Sequence, residues 1–195
     1  MNIATSVRKR SPWSLRRTVL VYLLPLAILC WSSFVAAQQA PADRDPRYNA
    51  SISPKYNASI NPKYNASLNP KYNASINPKY NASINPRYNA ELNPQYNAEI
   101  NPAYNASLDP TKGRWPGFVI FDLDGDPLGA AVRANSRTLL YFDSRGKWTG
   151  YFVSNGEGGF NWFSRDAEWL GYLLSNSERG FNLFDTEGEW RGFLA

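Results

Sequence analysis

The residues best suited to chemistry are the two aspartates of VIFDLDGDPLG, at positions 119–129. An apolar run leads directly into Asp-x-Asp-Gly. In that arrangement Asp122 could attack a phosphoryl group as a nucleophile, and Asp124 could act as the general acid and base. Whether the chain can perform such a reaction depends on the elements that hold these carboxylates.

The stretch resembles the first motif of the haloacid dehalogenase superfamily. That resemblance implies a doubly wound parallel sheet, together with a later Ser or Thr, a Lys and an acidic pair that holds magnesium. Only 71 residues follow Asp124, and they show no helical periodicity. In the repeats of this region, described below, Asp122 falls at a turn-capping position and Asp124 at an exposed turn position. We therefore predict that the protein is not an enzyme.

The composition excludes several other kinds of site. There is no His and only one Cys, so a Cys/His zinc site, a Ser-His-Asp triad and a Cys-His dyad lack their residues. Asp122, Asp124 and Asp126 suggest a calcium loop. However, Pro127 stands where an EF-hand loop has glycine, and no Glu follows at the twelfth position. We expect no metal site and no cofactor.

The net charge of +5 is concentrated at the amino terminus. Five of the 21 Lys and Arg residues lie at positions 8–17, and all 16 Asp and Glu residues come later, so residues 38–195 carry 16 charges of each sign. A neutral body lacks the basic surface that a phosphate backbone requires. We expect no nucleic-acid partner.

Residues 1–37 have the three parts of a secretory signal peptide: a basic stretch, an apolar run and a small-residue exit. Val35 and Ala37 fit the cleavage motif, so we predict cleavage after Ala37. An uncleaved signal anchor is the alternative, since about 19 apolar residues could cross a bilayer. We predict a secreted, periplasmic or cell-envelope protein of bacterial origin, with membrane contact only through such an anchor.

After a linker at positions 38–46, residues 47–110 form eight octapeptides of the type KYNASINP, with tyrosines from Tyr48 to Tyr104. Recurrent proline forbids a continuous helix, and Asn-Pro-x-Tyr favours a turn. We predict that each octad is a turn followed by a short extended piece. One Tyr and one Ile or Leu per octad is little material for a core, so we favour an extended or disordered stalk that acts as a spacer. The alternatives are a spiral with Tyr rings stacked on neighbouring prolines, and a segment that orders on binding.

The array also carries acceptor tripeptides for N-glycosylation, which would be used only in a eukaryote. Octads six and seven have Ala-Glu after the asparagine and do not qualify. We therefore favour the tripeptide as a by-product of the repeat. The acceptors are Asn49, Asn57, Asn65, Asn73, Asn81 and Asn105.

Residues 111–195 contain a second array, in which four units align with a period of 21 and no insertion. Each unit predicts one β-hairpin with an Asp-x-x-Gly turn, whose fourth residue is left-handed. The predicted fold class is all-β, with four hairpins around a pseudo-fourfold axis, because a lone hairpin is not stable in water. The aligned columns are Phe121, Phe142, Phe163 and Phe184; Gly129, Gly150, Gly171 and Gly192; and Trp148, Trp169 and Trp190.

The first strands of these hairpins carry apolar residues on both faces. Asn161 and Asn182 replace Val119 in the third and fourth units, so we expect one face to be only partly apolar. The repeated glycine of each second strand is expected to allow a close backbone approach near the axis.

The register F-D-x-x-G-x-W-x-G-Y over four hairpins resembles the small bacterial domain called the 4-fold beta flower. The resemblance covers residues 117–195 and implies a fold without catalytic residues. LLYFDSRGKW is also similar to the aromatic hairpins of choline-binding repeats, although the usual Gly-Trp opening is absent. Such repeats usually coil into a solenoid and bind ligands between aromatic residues of neighbouring hairpins.

Five aromatic side chains of the hairpins are the candidate ligand-binding residues. They could form a stacking surface for sugars or for a quaternary ammonium group. We favour core packing instead, because an all-β domain of this size without disulfides needs large side chains to fold. The five are Trp148, Trp169, Trp190, Tyr151 and Tyr172.

These features together predict a secreted or envelope-associated, non-enzymatic binding or presentation module on a repetitive spacer. Its partner would be an unknown protein or glycan at the cell surface. One alternative is a structural protein whose octads self-associate, with the β domain as a cap. Another is a carbohydrate- or choline-binding module built from the aromatic hairpins.

Overall fold

The computed structural model describes residues 38–176 and 180–195. The predicted signal peptide, residues 1–37, lies outside these ranges. The described residues contain eight β-strands and no α-helix. The strands are β1 (Gly117–Phe121), β2 (Pro127–Arg133), β3 (Thr138–Asp143), β4 (Trp148–Ser154), β5 (Phe160–Ser164), β6 (Trp169–Ser175), β7 (Phe181–Asp185) and β8 (Trp190–Leu194).

The eight strands form one closed antiparallel barrel in sequence order. Each strand pairs with the next, and β8 returns to β1 through the pairs Ile120–Leu194 and Phe121–Phe193. Closure leaves no sheet edge, which removes the unpaired backbone groups that an open sheet would expose. The all-β prediction with four hairpins is confirmed.

The four hairpin turns follow the predicted chemistry. The turn residues Gly125, Gly146 and Gly188 have positive φ, and Ala167 takes the same left-handed conformation at φ 58°. In the first hairpin the Asp122 carboxylate accepts hydrogen bonds from the backbone N–H groups two and four residues later, at 3.0 and 2.8 Å. The same capping recurs in the other three turns. The turn-capping position predicted for Asp122 is confirmed.

The repeated glycines mark a close approach between neighbouring hairpins. A Cβ placed on any of the four would overlap a backbone carbonyl oxygen of the adjacent strand. The approach therefore lies within the barrel wall and not at its axis, between the second strand of one hairpin and the first strand of the next. The pairs are Gly129 with Phe142, Gly150 with Phe163, Gly171 with Phe184, and Gly192 with Phe121.

Alternate residues of the strands fill the barrel interior. Phe181 meets Phe118 and Phe160 edge-on, with ring centroids 5.3 and 5.4 Å apart. The interior of an eight-stranded barrel is just wide enough for side chains to fill, so this one is a packed core. Its buried members are Ile120, Ala131, Leu139, Phe152, Phe160, Leu173, Leu183 and Leu194.

The other strand residues point outward and are also apolar. Three pairs of buried rings stack across neighbouring strands with centroids 5.1–5.8 Å apart: Phe121–Phe193, Tyr151–Phe163 and Tyr172–Phe184. An outward face of this kind would meet water unless another part of the chain covered it.

Residues 47–110, which we call the belt, supply that cover. Leu92 and Leu108 of the belt lie in one hydrophobic cluster with the outward-facing Leu140, Tyr151 and Phe163. The belt contacts the first, fourth, third and second hairpins in turn and so passes around the barrel. Representative contacts are Arg47 with Asp124, Lys63 with Glu189 and Arg87 with Ala167, and Leu108 shares a hydrophobic cluster with Leu140 of the second hairpin.

Two polar contacts lie within this buried layer. Asn182 donates its side-chain N–H to the carbonyl oxygen of Ile52 at 2.9 Å, and Asn161 donates to that of Ile76 at 3.0 Å. Both asparagines are fully buried. The partly apolar face expected from these residues is therefore a docking position for the belt backbone.

The belt is built from short 3-10 turns, and the predicted extended pieces are wrong. In most octads Asn-Ala-Ser-Ile or its equivalent forms a 3-10 turn capped by the Asn side chain, and the following Pro residue ends it. The predicted Asn-Pro-x-Tyr turn is confirmed. The 3-10 helices are Ala42–Arg44, Ala50–Ile52, Ala58–Ile60, Ala66–Leu68, Ala82–Ile84, Ala90–Leu92, Ala98–Ile100, Ala106–Leu108 and Pro110–Lys112.

The stalk prediction is wrong. The described residues belong to one compact unit, and most Ile, Leu and Pro side chains of the belt are buried, with Ile60, Leu68 and Pro102 half-buried. The sparse apolar residues of the octads are sufficient because the barrel provides the opposite half of the core. The alternative of Tyr rings stacked on prolines also fails, because these rings face solvent.

Candidate binding surface

The belt presents a row of exposed aromatic side chains. Its eight tyrosines are 67–78% exposed, whereas the other exposed large apolar residues of the described chain are three leucines at 37–42%. The same octad position is therefore turned to solvent eight times. The tyrosines are Tyr48, Tyr56, Tyr64, Tyr72, Tyr80, Tyr88, Tyr96 and Tyr104.

A network of asparagine side chains fixes the backbone beneath each tyrosine, and Tyr72 is representative. Its N–H donates to the carbonyl of Asn69 at 2.9 Å. The side chains of Asn69 and Asn73 reach back to the preceding octad, where they donate to the carbonyls of Pro62 and Ser67 at 3.1 and 2.7 Å. Because neighbouring octads are linked in this way, the tyrosines are held in a fixed succession.

The basic residues that precede the tyrosines are largely engaged within the protein. Lys63 pairs with Glu189 at 2.9 Å, and Lys79 lies over the Trp169 ring at 5.5 Å. Lys71 lies 5.9 Å from the ring centroid of its own neighbour, Tyr72. The outer surface of the belt therefore combines phenol rings and small polar groups with basic side chains, of which Arg47 and Lys63 are paired with carboxylates.

The five candidate ligand-binding residues of the hairpins lie beneath the belt. Tyr151 and Tyr172 are buried and present no ring face to solvent. Trp148, Trp169 and Trp190 are half-buried against the same outer clusters. The indole N–H of Trp148 donates to the Gly150 carbonyl at 2.8 Å, and Trp190 makes the equivalent bond at 2.7 Å. The structure thus brings these residues into packing contacts with the outer clusters.

Burial also determines the ionisation of the two buried phenols. Desolvation raises the pKa of Tyr151 and of Tyr172 well above the ordinary tyrosine value. Neither hydroxyl has a hydrogen-bond partner among the described residues. Both side chains therefore remain neutral in the folded protein under ordinary conditions.

The candidate glycosylation sites have a structural role in the belt. In each of the six octads the Asn side chain caps the 3-10 turn or its equivalent through its oxygen, and donates its N–H to a carbonyl six residues earlier. For Asn65 these bonds are 3.2 Å from the Ser67 N–H and 2.9 Å to the Ser59 carbonyl. The asparagine is therefore explained by folding in every octad, whether or not a serine follows.

Sequence reasoning missed the belt tyrosines as a surface. The sequence did contain a signal for this arrangement, because the first strands of the hairpins carry apolar residues on both faces. One face fills the barrel, and the other has to be covered by a different part of the chain. Once the Ile or Leu of an octad is assigned to that cover, its tyrosine becomes free to face solvent.

No protein-family model, curated protein or solved structure matches this chain. Within residues 38–176 and 180–195, no cluster of three His, Cys, Asp or Glu residues is placed to hold a metal ion. The same residues contain no helix of the length and hydropathy needed to cross a bilayer.

Proposed function

We propose that this protein is a non-enzymatic binding module whose belt tyrosines hold a linear polysaccharide at the cell surface. The observation that carries the proposal is the row of eight tyrosines, each 67–78% exposed and each fixed by the same octad framework. A row of exposed rings at one repeated position offers an extended ligand several equivalent contact points.

The chemistry of the row suits a polymer of sugar rings. A phenol offers a flat apolar face for the C–H surface of a sugar and a hydroxyl for its polar rim. One such contact is weak. A chain that engages several tyrosines at once gains affinity from each, because the later contacts form at high effective concentration.

Export of the chain is part of the proposal. The basic stretch, apolar run and small-residue exit of residues 1–37 support secretion or an envelope location in a bacterium. The docked belt removes the spacer on which a presentation role depended, so binding is the function that we retain.

We also propose that the barrel is related to the 4-fold beta flower domain. The four repeated turns, four register shifts and four glycine contacts support that relation. A closed ring of hairpins favours it over the open solenoid of choline-binding repeats.

The test compares wild type with a variant carrying Tyr64→Ala, Tyr72→Ala and Tyr80→Ala in sedimentation assays with insoluble cellulose, chitin and bacterial cell-wall glycan. We expect wild type to bind at least one polymer and the triple variant to lose most of that binding. Leu128→Ala with Leu170→Ala is the matched control, since these exposed side chains lie on the barrel. The melting temperature of each variant reports its folding.

Equal binding by wild type and the triple variant would refute the proposal, as would no binding to any polymer. Analytical ultracentrifugation of the same proteins tests the structural alternative. If wild type self-associates, the triple variant does not, and no glycan binds, the octads are an assembly surface.

A further inference from the structure

Octads six and seven, residues 87–94 and 95–102, depart from the repeat. Glu91 and Glu99 stand where the other six octads have serine. The Lys or Arg that opens the other octads is also absent from octads seven and eight, which begin with Gln95 and Ala103. This part of the belt has therefore gained two negative charges and lost two positive ones relative to the repeat.

The serine that these glutamates replace has a defined role in the other octads. Its hydroxyl donates to the side-chain oxygen of the capping asparagine, as Ser67 does to Asn65 at 2.7 Å. Glu91 and Glu99 keep only the backbone bond to their asparagines, at 3.2 and 3.1 Å. Neither carboxylate forms an ion pair within the described ranges. The substitutions give up a hydrogen bond and gain no ion pair within those ranges.

Both glutamates line one cleft, of about 640 Å³, between the belt and the loop that joins β2 to β3. Tyr96 lines the same cleft with its ring 75% exposed. Arg137 lines it from the barrel side, where its guanidinium donates to the Ser83 carbonyl at 3.3 Å. The cleft therefore combines two carboxylates, an aromatic face and one guanidinium.

We propose that this cleft binds a small diamino acid, a ligand with two ammonium groups and one carboxylate. The ligand's charges are the reverse of those of the cleft. One ammonium group meets each carboxylate, and the Tyr96 ring adds a cation–π contact. The Arg137 guanidinium takes the carboxylate of the ligand in a planar, charge-assisted hydrogen bond.

This site shares Tyr96 with the polysaccharide surface and differs from it in its two carboxylates and its guanidinium. Glu91→Ser and Glu99→Ser restore the residue found in six octads and leave all eight tyrosines in place. The double variant should therefore retain polysaccharide binding where wild type shows it. Failure of either proposal can then be recognised without reference to the other.

The test is a titration of the protein with L-lysine, followed by amide chemical-shift changes in two-dimensional NMR. We expect saturable shifts at Glu91, Tyr96 and Glu99. Each single Glu→Ser variant should weaken binding by roughly two- to fivefold, the range of an exposed ion pair, and the double variant by roughly tenfold. Cadaverine, which lacks the carboxylate, should bind more weakly than lysine to wild type. Arg137→Gln should abolish that preference.

A protein with Ser59→Glu and Ser67→Glu in the wild-type background is the matched control, because it adds two carboxylates elsewhere on the belt. Its lysine affinity should equal that of wild type. The proposal is overturned if lysine does not bind, if the double Glu→Ser variant binds it as wild type does, or if the added carboxylates raise affinity. Equal affinity for lysine and cadaverine would show that Arg137 does not bind the carboxylate of lysine, and would rule out a diamino acid as the preferred ligand.

Discussion

Truncation of a belt leucine should destabilise the barrel as well as the belt. Leu92 is 2% exposed and lies in a cluster with barrel residues that include Tyr151 and Phe163. Leu92→Ala removes three carbons, a transfer loss of about 2.4 kcal/mol at ~0.8 kcal/mol for each. A residual cavity would add to this, although Leu92 also borders the open cleft, so we expect a loss of about 3 kcal/mol of unfolding free energy.

The assay is denaturant unfolding followed by tryptophan fluorescence. Residues 47–110 contain no tryptophan, so the fluorescence of the described residues comes from the barrel and from Trp115, which precedes β1. Tyr88→Ala in the same octad is the control. It deletes a larger side chain that is 76% exposed, and should change the unfolding free energy by less than about 0.5 kcal/mol.

The outcome distinguishes a docked belt from a spacer. If the belt were an independent segment, Leu92→Ala would leave the tryptophan transition unchanged. A shift no larger than that of Tyr88→Ala would therefore refute the coupling between belt and barrel. The expected 3 kcal/mol corresponds to a decrease in melting temperature of roughly 6–12 °C for a domain of this size.

Three other perturbations test separate parts of the fold. Gly171→Ala should cost more than about 2 kcal/mol in a thermal melt, because its Cβ would overlap the Phe184 carbonyl oxygen; a change below 0.5 kcal/mol would contradict that contact. Burial raises the folded-state pKa of Tyr151 and Tyr172, so the unfolded chain loses these two protons first as the pH rises. The contribution of the two phenols to the unfolding free energy should therefore be fully present below pH ~10 and should decrease above it. Alkaline denaturation curves measure this decrease, and replacing both tyrosines with Phe should make it smaller. Asn73→Ala should lower the unfolding free energy by about 1–2 kcal/mol, because it removes both the cap on the Ser75 N–H and the bond to the Ser67 carbonyl of the preceding octad. Asn73→Asp keeps the cap and should lower it less. If both variants lose the same free energy in denaturant unfolding, the whole effect belongs to the bond between octads.

Much of the barrel could be predicted because its determinants are local. The Asp122 carboxylate accepts hydrogen bonds from N–H groups within four residues of itself. A few consecutive residues are therefore enough to predict the turn. The 21-residue spacing then fixes four equal hairpins, and equal hairpins must cover one another. The role of Asn182 could not be found this way, because its partner, the Ile52 carbonyl, is 130 residues distant.

The sequence alone determined the repeat units of this protein, the hairpin turns, the Asn-Pro-x-Tyr turns and the all-β class. These depend on Asp, Gly, Asn and Pro residues acting on backbone only a few positions away. Tertiary structure decided the state of the octads, because the same local turns are compatible with a free stalk or a docked belt. The apolar outer wall of the barrel selects the belt, which directs one Ile or Leu of each octad toward the barrel. The tyrosine four residues earlier, such as Tyr88 before Leu92, is left in water.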